Sequence, residues 1–449
     1  MTLTEDNPPL AQALVSSPAL DILTKQKKLD GSTSILACGV LHNVFSAMDW
    51  NDNSPGVGGA TDEMLVRRLA RTLQDYKPGE EPPANAEWTC PDEIAALALE
   101  ILASIASGVQ DTMGGGKKGH AAREENGAQD GDDDKMEEDD AEDGAEIEDD
   151  GDESDGSMDP EEMANDMEMV TGTYDDDSGT SDLPTLETLL KKAVPQVLRL
   201  ASPSSKSGSP PEIQTHAVSV LNNLSWSLAC VDFAAGQNEG LLKAWLPHGK
   251  AIWEKAVTEI LDSDTNDLGL ATEVTSLAWA VSKALGPEHL PLKEGQHQRF
   301  ISLYHATRNM PGNEEQGAAE EDPFQGLGVK CIGVLGQLAL DPAPLPLNRD
   351  IGVFLVTVVS SLPQAAPAEA VEALNQLFDV YGDEDAACDK VFWEDGFLKH
   401  LQDALPKCRA MLKGIHKGEE RTKELRERAE EAVMNLDRFV QYKRKNKPT

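Results

Sequence analysis

A recurring eight-residue pattern constrains the fold of this chain more than any other feature of its sequence. The copies occupy residues 37–44, 98–105, 217–224, 273–280, 331–338 and 370–377. A small or apolar residue comes first, leucine fifth, a polar residue or tryptophan seventh and an apolar residue last, although the fourth copy diverges by starting with Glu273. This spacing is typical of helices. The β-branched run 351–359 is the nearest candidate for a strand, and we interpret it as a buried helix because its neighbours are helical. The sequence therefore predicts an all-α protein.

The distance between the copies indicates stacked repeats. Measured at the seventh position, successive copies are 61, 119, 56, 58 and 39 residues apart, and the second spacing becomes 60 when a 59-residue acidic segment is removed. A helical hairpin cannot bury its apolar face alone, so neighbouring repeats stack into a solenoid. Armadillo and HEAT repeats have about 40–47 residues, so these copies carry enlarged loops. We predict an armadillo/HEAT-type α-solenoid with a core formed by the leucines at the fifth position, Leu41, Leu102, Leu221, Leu277, Leu335 and Leu374.

An acidic segment interrupts the repeats at residues 124–182. It has 28 acidic residues and one basic residue, so it carries −27 of the net charge of −41. A segment with so few apolar residues and so many like charges cannot fold by itself. We therefore expect N-terminal armadillo/HEAT repeats in 1–123, an acidic disordered insert in 124–182, and C-terminal armadillo/HEAT repeats with a polar capping helix in 183–449. Only about 30 residues precede the first copy, so we expect the chain to begin inside a longer solenoid.

Composition and motifs exclude several classes of function. A surface this negative repels phosphate, so we expect basic protein partners and no direct contact with nucleic acid. The chain shows no P-loop, EF-hand or metal-ligand spacing, and we expect neither an enzyme nor a cofactor. The six cysteines form no disulfide framework. A signal peptide is not evident, and the longest apolar stretch, 94–109, is too short to cross a membrane.

The seventh position of each copy is the first candidate binding site. Residues at a fixed place on successive helices form a row along a groove, and an amide there can donate to and accept from a peptide backbone. Alternatively, each amide ties its own helix to the next repeat. The second copy has Ser104 at this position, and Trp226 lies close to the third copy. The candidate groove residues are Asn43, Asn223, Trp226, Trp279, Gln337 and Gln376.

The acidic segment is the second candidate. One acid in every two residues of an extended chain places one charge per ~7 Å, about half the density of a nucleic-acid strand. It therefore resembles a phosphate backbone, although a solvated linker is the alternative. Residues 160–171 have the features of a short helix, with a methionine stripe that adapts to many surfaces. The alternative is a disordered run in which this spacing arises by chance. The candidate cargo-shielding residues are Asp132, Asp133, Asp134, Glu137, Glu138, Asp139, Asp140, Asp149, Asp150, Glu161, Glu162, Met163 and Met167.

Three features together resemble a known family. Residues 217–225, AVSVLNNLS, are similar to the third helix of an armadillo repeat, a large acidic insert lies between helices, and the C-terminal part contains EALNQLFDVYGD (372–383) and NLDRFVQY (435–442). Together they resemble the symportin family of synchronized-import adaptors. The resemblance implies that the groove takes an extended N-terminal segment of one 5S-rRNA-associated ribosomal protein, and that the acidic insert covers the rRNA-binding face of another.

We therefore predict a monomeric transport adaptor and dedicated chaperone. It would bind basic large-subunit ribosomal proteins of the 5S particle and shuttle between cytoplasm and nucleus. The alternative is a histone chaperone or a fragment of a general nuclear import receptor. Family members have their import-receptor signal at the N-terminus, and no such signal is evident in the first 30 residues. The basic tail 443–447 is either a nuclear signal or, as we expect, a solvated helix end.

Overall fold

The computed structural model describes most of the chain outside the acidic segment. The described residues are 4–29, 31–79, 90–113, 182–203, 210–263, 267–308, 322–416 and 420–448. They belong to one unit, formed by Met1–Gly114 and Gly179–Thr449, whereas Gly115–Ser178 make up a second unit that lies outside the described residues. Within the described ranges every regular element is a helix, and a single isolated bridge joins Asn51 to Ser54.

The helices are numbered here in chain order. They are α1 (Pro8–Val15), α2 (Ala19–Gln26), α3 (Ser32–Ala47), α4 (Glu63–Asp75), α5 (Pro91–Met113), α6 (184–201), α7 (Pro211–Ala229), α8 (239–262), α9 (Leu268–Leu285), α10 (His297–Arg308), α11 (Leu327–Ala339), α12 (Leu345–Ser360), α13 (Pro367–Tyr381), α14 (Asp389–Glu394), α15 (Phe397–Gly414) and α16 (Glu420–Lys445). A π-helical turn, Leu189–Ala193, lies within α6 just before Pro195, whose missing N–H interrupts the regular ladder.

The motif copies lie in α3, α5, α7, α9, α11 and α13, and these helices pack against one another in that order. A second layer packs behind this row, formed by α4, α6, α8, α10, α12 and α15. The six leucines at the fifth position are all 0% exposed. Both observations confirm the all-α repeat solenoid, because a core shared between successive helices is what stacked repeats produce. The run 351–359 lies in α12, as predicted.

The C-terminal helix α16 packs on α13 and α15 with one apolar face. Ala429, Leu436 and Val440 on that face are buried. In the basic tail, Arg444, Lys445 and Lys447 are exposed, as expected of a solvated helix end, but Lys443 is only 1% exposed. Its Nζ lies 2.5 Å from a carboxylate oxygen of Asp389 and over the ring of Phe392. A charge can be buried here because its ion-pair partner is buried with it.

Candidate peptide-binding surface

The motif helices leave one stripe of side chains at least partly exposed, and together these stripes form a surface that we call the motif face. Within each helix its members are three, four or seven residues apart, as expected for one side of a helix. The motif face consists of Leu36, Val40, Asn43, Leu97, Glu100, Ser104, Ser219, Asn222, Trp226, Thr272, Trp279, Lys283, Gln337, Asn375 and Asp379.

Two indoles meet in the middle of the motif face. Trp226 of α7 and Trp279 of α9 are half-buried, and their rings pack edge to face with centroids 5.4 Å apart. The Trp226 Nε1–H donates to Ser276 Oγ at 3.3 Å. The Trp279 ring covers Gly333 of α11, where an added Cβ would lie 2.3 Å from the ring. Both tryptophans were predicted from the sequence as groove residues, and the structure brings them together as a partly exposed aromatic platform.

The two adjacent asparagines of α7 have different surroundings. The Asn223 Nδ2 donates to the backbone oxygen of Ala103 in α5 at 3.1 Å, so half of this amide ties α7 to its neighbouring helix. Asn222, which sequence analysis did not select, lies one turn before Trp226 on the motif face. Its Oδ1 is buried and has no hydrogen-bond partner among the described residues. The Asn-Asn pair close to a tryptophan indicates a candidate binding position in the sequence, but the pair alone does not show which asparagine faces the groove.

The first two copies of the motif contribute a polar cluster, here called the histidine cluster. His42 Nε2 lies 2.8 Å from Ser104 Oγ, and His42 Nδ1 lies 3.0 Å from Asp62 Oδ1. Asn43 is half-buried and donates to Thr4 Oγ1 at 3.1 Å. A Ser-His-Asp series also occurs in hydrolases, but there N–H donors must stabilise an oxyanion beside the serine. Ser104 lies inside α5, where the backbone N–H groups are used by the helix. We interpret the cluster as a tie between α3, α5 and the start of α4.

The last two copies place their amides differently. Gln337 of α11 is half-buried, whereas Gln376 of α13 is only 4% exposed and its amide packs on Gly336 of α11. The Gln376 Nε2 donates to Glu372 Oε1 at 2.7 Å, and the Gln376 Oε1 is buried without a partner among the described residues. Burial raises the pKa of Glu372 to about 7. Burial also raises the pKa of Asp379, against the effect of the Lys283 charge.

The sites selected in the acidic segment lie outside the described residues. These are Asp132, Asp133, Asp134, Glu137, Glu138, Asp139, Asp140, Asp149, Asp150, Glu161, Glu162, Met163 and Met167, together with the short helix predicted for 160–171. Their role as a cargo shield therefore stays a prediction.

The described part of the chain can also be compared with metal, membrane-spanning and small-molecule sites. No three His, Cys, Asp or Glu side chains there are grouped to hold a metal ion. None of the described helices combines the length and apolar character needed to cross a bilayer. A cavity of about 420 Å³ lies between α6 and α8, where Leu198, Ala251 and the two basic residues Arg199 and Lys255 contribute to its lining. Cys230 is exposed at the end of α7.

Comparison with known proteins adds to this geometry. The family described as "SYO1-like, TPR repeats" matches residues 189–447. Symportin 1 of Chaetomium thermophilum is 48% identical over 472 residues, which cover 100% of this chain and 69% of that protein. The armadillo repeat protein involved in nucleocytoplasmic transport Syo2 of Schizosaccharomyces pombe is 32% identical over 253 residues, covering 54% of this chain and 34% of that protein. Synchronized import protein 1 of Saccharomyces cerevisiae is 27% identical over 229 residues, covering 49% and 34%.

The chain thus spans about two thirds of the length of the Chaetomium relative and about one third of the two yeast relatives. The family match covers more than half of the chain, and the match to symportin 1 extends over all of it. The described residues agree with such a repeat protein in fold. On these grounds the chain belongs to the SYO1-like, or symportin, family.

Proposed function

We propose that this chain is a transport adaptor and dedicated chaperone for basic ribosomal proteins of the large subunit. The observation that supports this most is the 48% identity with symportin 1 over the whole chain. The names of the yeast relatives, which mention nucleocytoplasmic transport and synchronized import, point the same way. On this proposal the chain catalyses no reaction, acts as a monomer and shuttles between cytoplasm and nucleus. Its cargoes are proteins of the 5S particle.

The motif face is the proposed site for an extended segment of one cargo. A bound peptide must satisfy its own N–H and C=O groups, because a buried unpaired group costs about 1–3 kcal/mol. Asn222 supplies an amide on the motif face one turn before Trp226, and its Oδ1 has no hydrogen-bond partner among the described residues. The exposed parts of the indoles offer aromatic surface to an apolar or cationic side chain of the peptide.

The acidic segment is the proposed site for a second, RNA-binding cargo. Its net charge of −27 over 59 residues favours a surface that otherwise contacts phosphate. Such binding is largely electrostatic, so it weakens as salt screens the charges. The cargo would then bind either this chain or its RNA at that surface.

A pulldown from lysate followed by peptide mapping tests the proposal. We expect the chain to capture proteins of the 5S particle, and we expect overlapping twenty-residue peptides from these proteins to identify one linear segment that binds. The variant Trp226→Ala should weaken that peptide, whereas Val353→Ala, at an exposed position of α12 in the other layer, is the control. Capture of histones in place of ribosomal proteins would favour the histone-chaperone alternative and overturn the cargo assignment.

Deletion of 124–182 separates the two binding modes. The row of motif helices is formed by residues outside this range, and α5 contacts α7 directly. The deletion variant should therefore keep its helical circular dichroism and bind the linear peptide unchanged. Binding of the RNA-binding cargo should fall and lose its salt dependence. Unchanged cargo binding after deletion would show that the acidic segment is a linker.

A further inference from the structure

Two carboxyl groups on or beside the motif face have no ion-pair partner among the described residues. Glu372 is only 8% exposed and accepts a hydrogen bond from Gln376, whereas Asp379 lies two turns after Glu372 on α13 and is exposed. We call Glu372, Gln376 and Asp379 the acid pocket. Its acceptors outnumber its donors, because the buried Oε1 of Gln376 is also unpaired among the described residues.

The neighbouring cations do not neutralise the acid pocket. Lys283 of α9 and Arg428 of α16 lower the pKa of Glu372, but burial outweighs them and the pKa rises to about 7. Arg428 is engaged elsewhere, since it pairs with Glu424 and lies over the Phe324 ring at 4.3 Å. Lys283 is exposed, and no ion pair joins it to either carboxylate among the described residues, although its charge lowers the pKa of both. Asp379 also lies in the last turn of α13, where the helix dipole attracts positive charge.

The acid pocket is next to the aromatic platform. Trp279 of α9 covers Gly333, and Gln376 of α13 covers Gly336. These two glycines are three residues apart in α11, so they lie on neighbouring turns of the same helix face, about 5–6 Å apart. Their lack of a side chain is what lets the indole and the amide reach across α11 from opposite sides. Gln376, and with it the acid pocket, therefore lies next to the aromatic platform, on the other side of α11.

We propose that Glu372, Gln376 and Asp379 bind a lysine or arginine side chain of the linear cargo segment, next to the Trp226–Trp279 platform. This inference rests on the proposed function and adds to it a specificity for the peptide. An ammonium or guanidinium group supplies the donors that the acid pocket lacks. The edge of the indole platform then contacts the aliphatic part of the same side chain.

The experiment uses the full chain and the tightest-binding twenty-residue peptide from the mapping above. Each lysine or arginine of that peptide is replaced in turn by glutamine, and every peptide is titrated against wild type, Asp379→Asn and Glu372→Gln. Glu100→Gln is the matched control, because Glu100 is an exposed acid on the same motif face, on α5. Circular dichroism melts check that each variant is folded.

We expect Asp379→Asn to weaken binding of the native peptide about tenfold relative to wild type. For the peptide in which the relevant lysine or arginine is replaced by glutamine, the same substitution should weaken binding by less than about twofold. Glu372→Gln should show coupling to the same cation. If Asp379→Asn and Glu100→Gln weaken peptide binding equally, with no coupling to any single cation, the acid pocket does not bind a cation of the peptide. The proposed peptide-binding role of the motif face would remain. If no peptide binds wild type, the proposed groove and this inference both fail.

Discussion

The row of motif helices contains two polar clusters that differ in how many of their hydrogen-bonding groups have partners. In the histidine cluster, both ring nitrogens of His42 have partners, Ser104 and Asp62. In the acid pocket, Gln376 Oε1 is unpaired and burial raises the pKa of Glu372 to about 7. Both clusters lie between successive motif helices and involve the seventh position of the motif, so the repeat itself does not cause the difference.

This difference suggests a structural role for the histidine cluster and a binding role for the acid pocket. A buried group with all its partners adds rigidity, whereas one that lacks partners costs free energy unless a ligand completes it. Such a cost at an otherwise well-packed position is typical of functional sites. We therefore expect substitutions in the two clusters to change stability in opposite directions.

The largest effect is expected for Glu372→Gln. The carboxyl ionises near pH 4.5 when unfolded and near 7 when folded, so the unfolded state binds fewer protons between these values and stability falls as the pH rises through them. The loss amounts to about 3 kcal/mol at most. Glutamine cannot ionise but still accepts the hydrogen bond from Gln376. The variant should therefore be more stable than wild type at pH 8 and similar at pH 4, as measured by urea unfolding at both pH values.

His42→Ala is expected to lower the stability of the protein, whereas Glu372→Gln raises it at pH 8. The substitution removes both hydrogen bonds and leaves Asp62 and Ser104 without their partner, which should cost about 2 kcal/mol. Thermal melts should show this loss, while affinity for the linear peptide stays within about twofold. Thr33→Ala is the control, since Thr33 is exposed in the first turn of the same helix. A His42→Ala protein as stable as wild type would remove the contrast between the clusters.

The repeated core could be predicted from the sequence, but the clusters could not. Leu41 and Leu374 recur at one position of a helical pattern, and local periodicity alone shows that such positions are buried. His42 and Ser104 are 62 residues apart, and Lys283 and Asp379 lie on different helices. Whether such groups meet, and whether a carboxyl finds a partner, depends on packing between helices. Glu372 is the third residue of the sixth copy and the first of the segment 372–383, and neither pattern shows that its carboxyl is buried.

A smaller effect is expected on the pH dependence of peptide binding. A cation binds the ionised form of Glu372, so affinity should rise with pH through about 7. The groups facing Glu372 are Gln376 and Asp379 on its own helix, Lys283 from α9 and Arg428 from α16, and Lys and Arg keep their charge in this range. For a peptide without histidine, affinity should be up to about tenfold higher at pH 8 than at pH 6.

That pH dependence should disappear in Glu372→Gln and persist in Glu100→Gln. Isothermal titration at several pH values also measures the protons that are released on binding. Proton release in wild type, absent from Glu372→Gln, would assign the effect to this carboxyl. An affinity that is independent of pH in wild type would show that the acid pocket does not contact the peptide.

The smallest changes in stability and peptide affinity are expected at the two asparagines of α7. One has a hydrogen-bond partner on a neighbouring helix and the other has an unpaired oxygen, so they repeat the contrast between the two clusters. Asn223 donates to Ala103 of α5, so Asn223→Ala should lower stability by about 1 kcal/mol. The buried Oδ1 of Asn222 has no partner among the described residues, so Asn222→Ala should leave stability unchanged and weaken the peptide by roughly fivefold. The two variants remove the same atoms from adjacent positions, and each is therefore the control for the other. A melt and a peptide titration on both decide the matter: if Asn223→Ala weakens the peptide and Asn222→Ala does not, the groove passes on the α5 side of α7 and away from the indole pair.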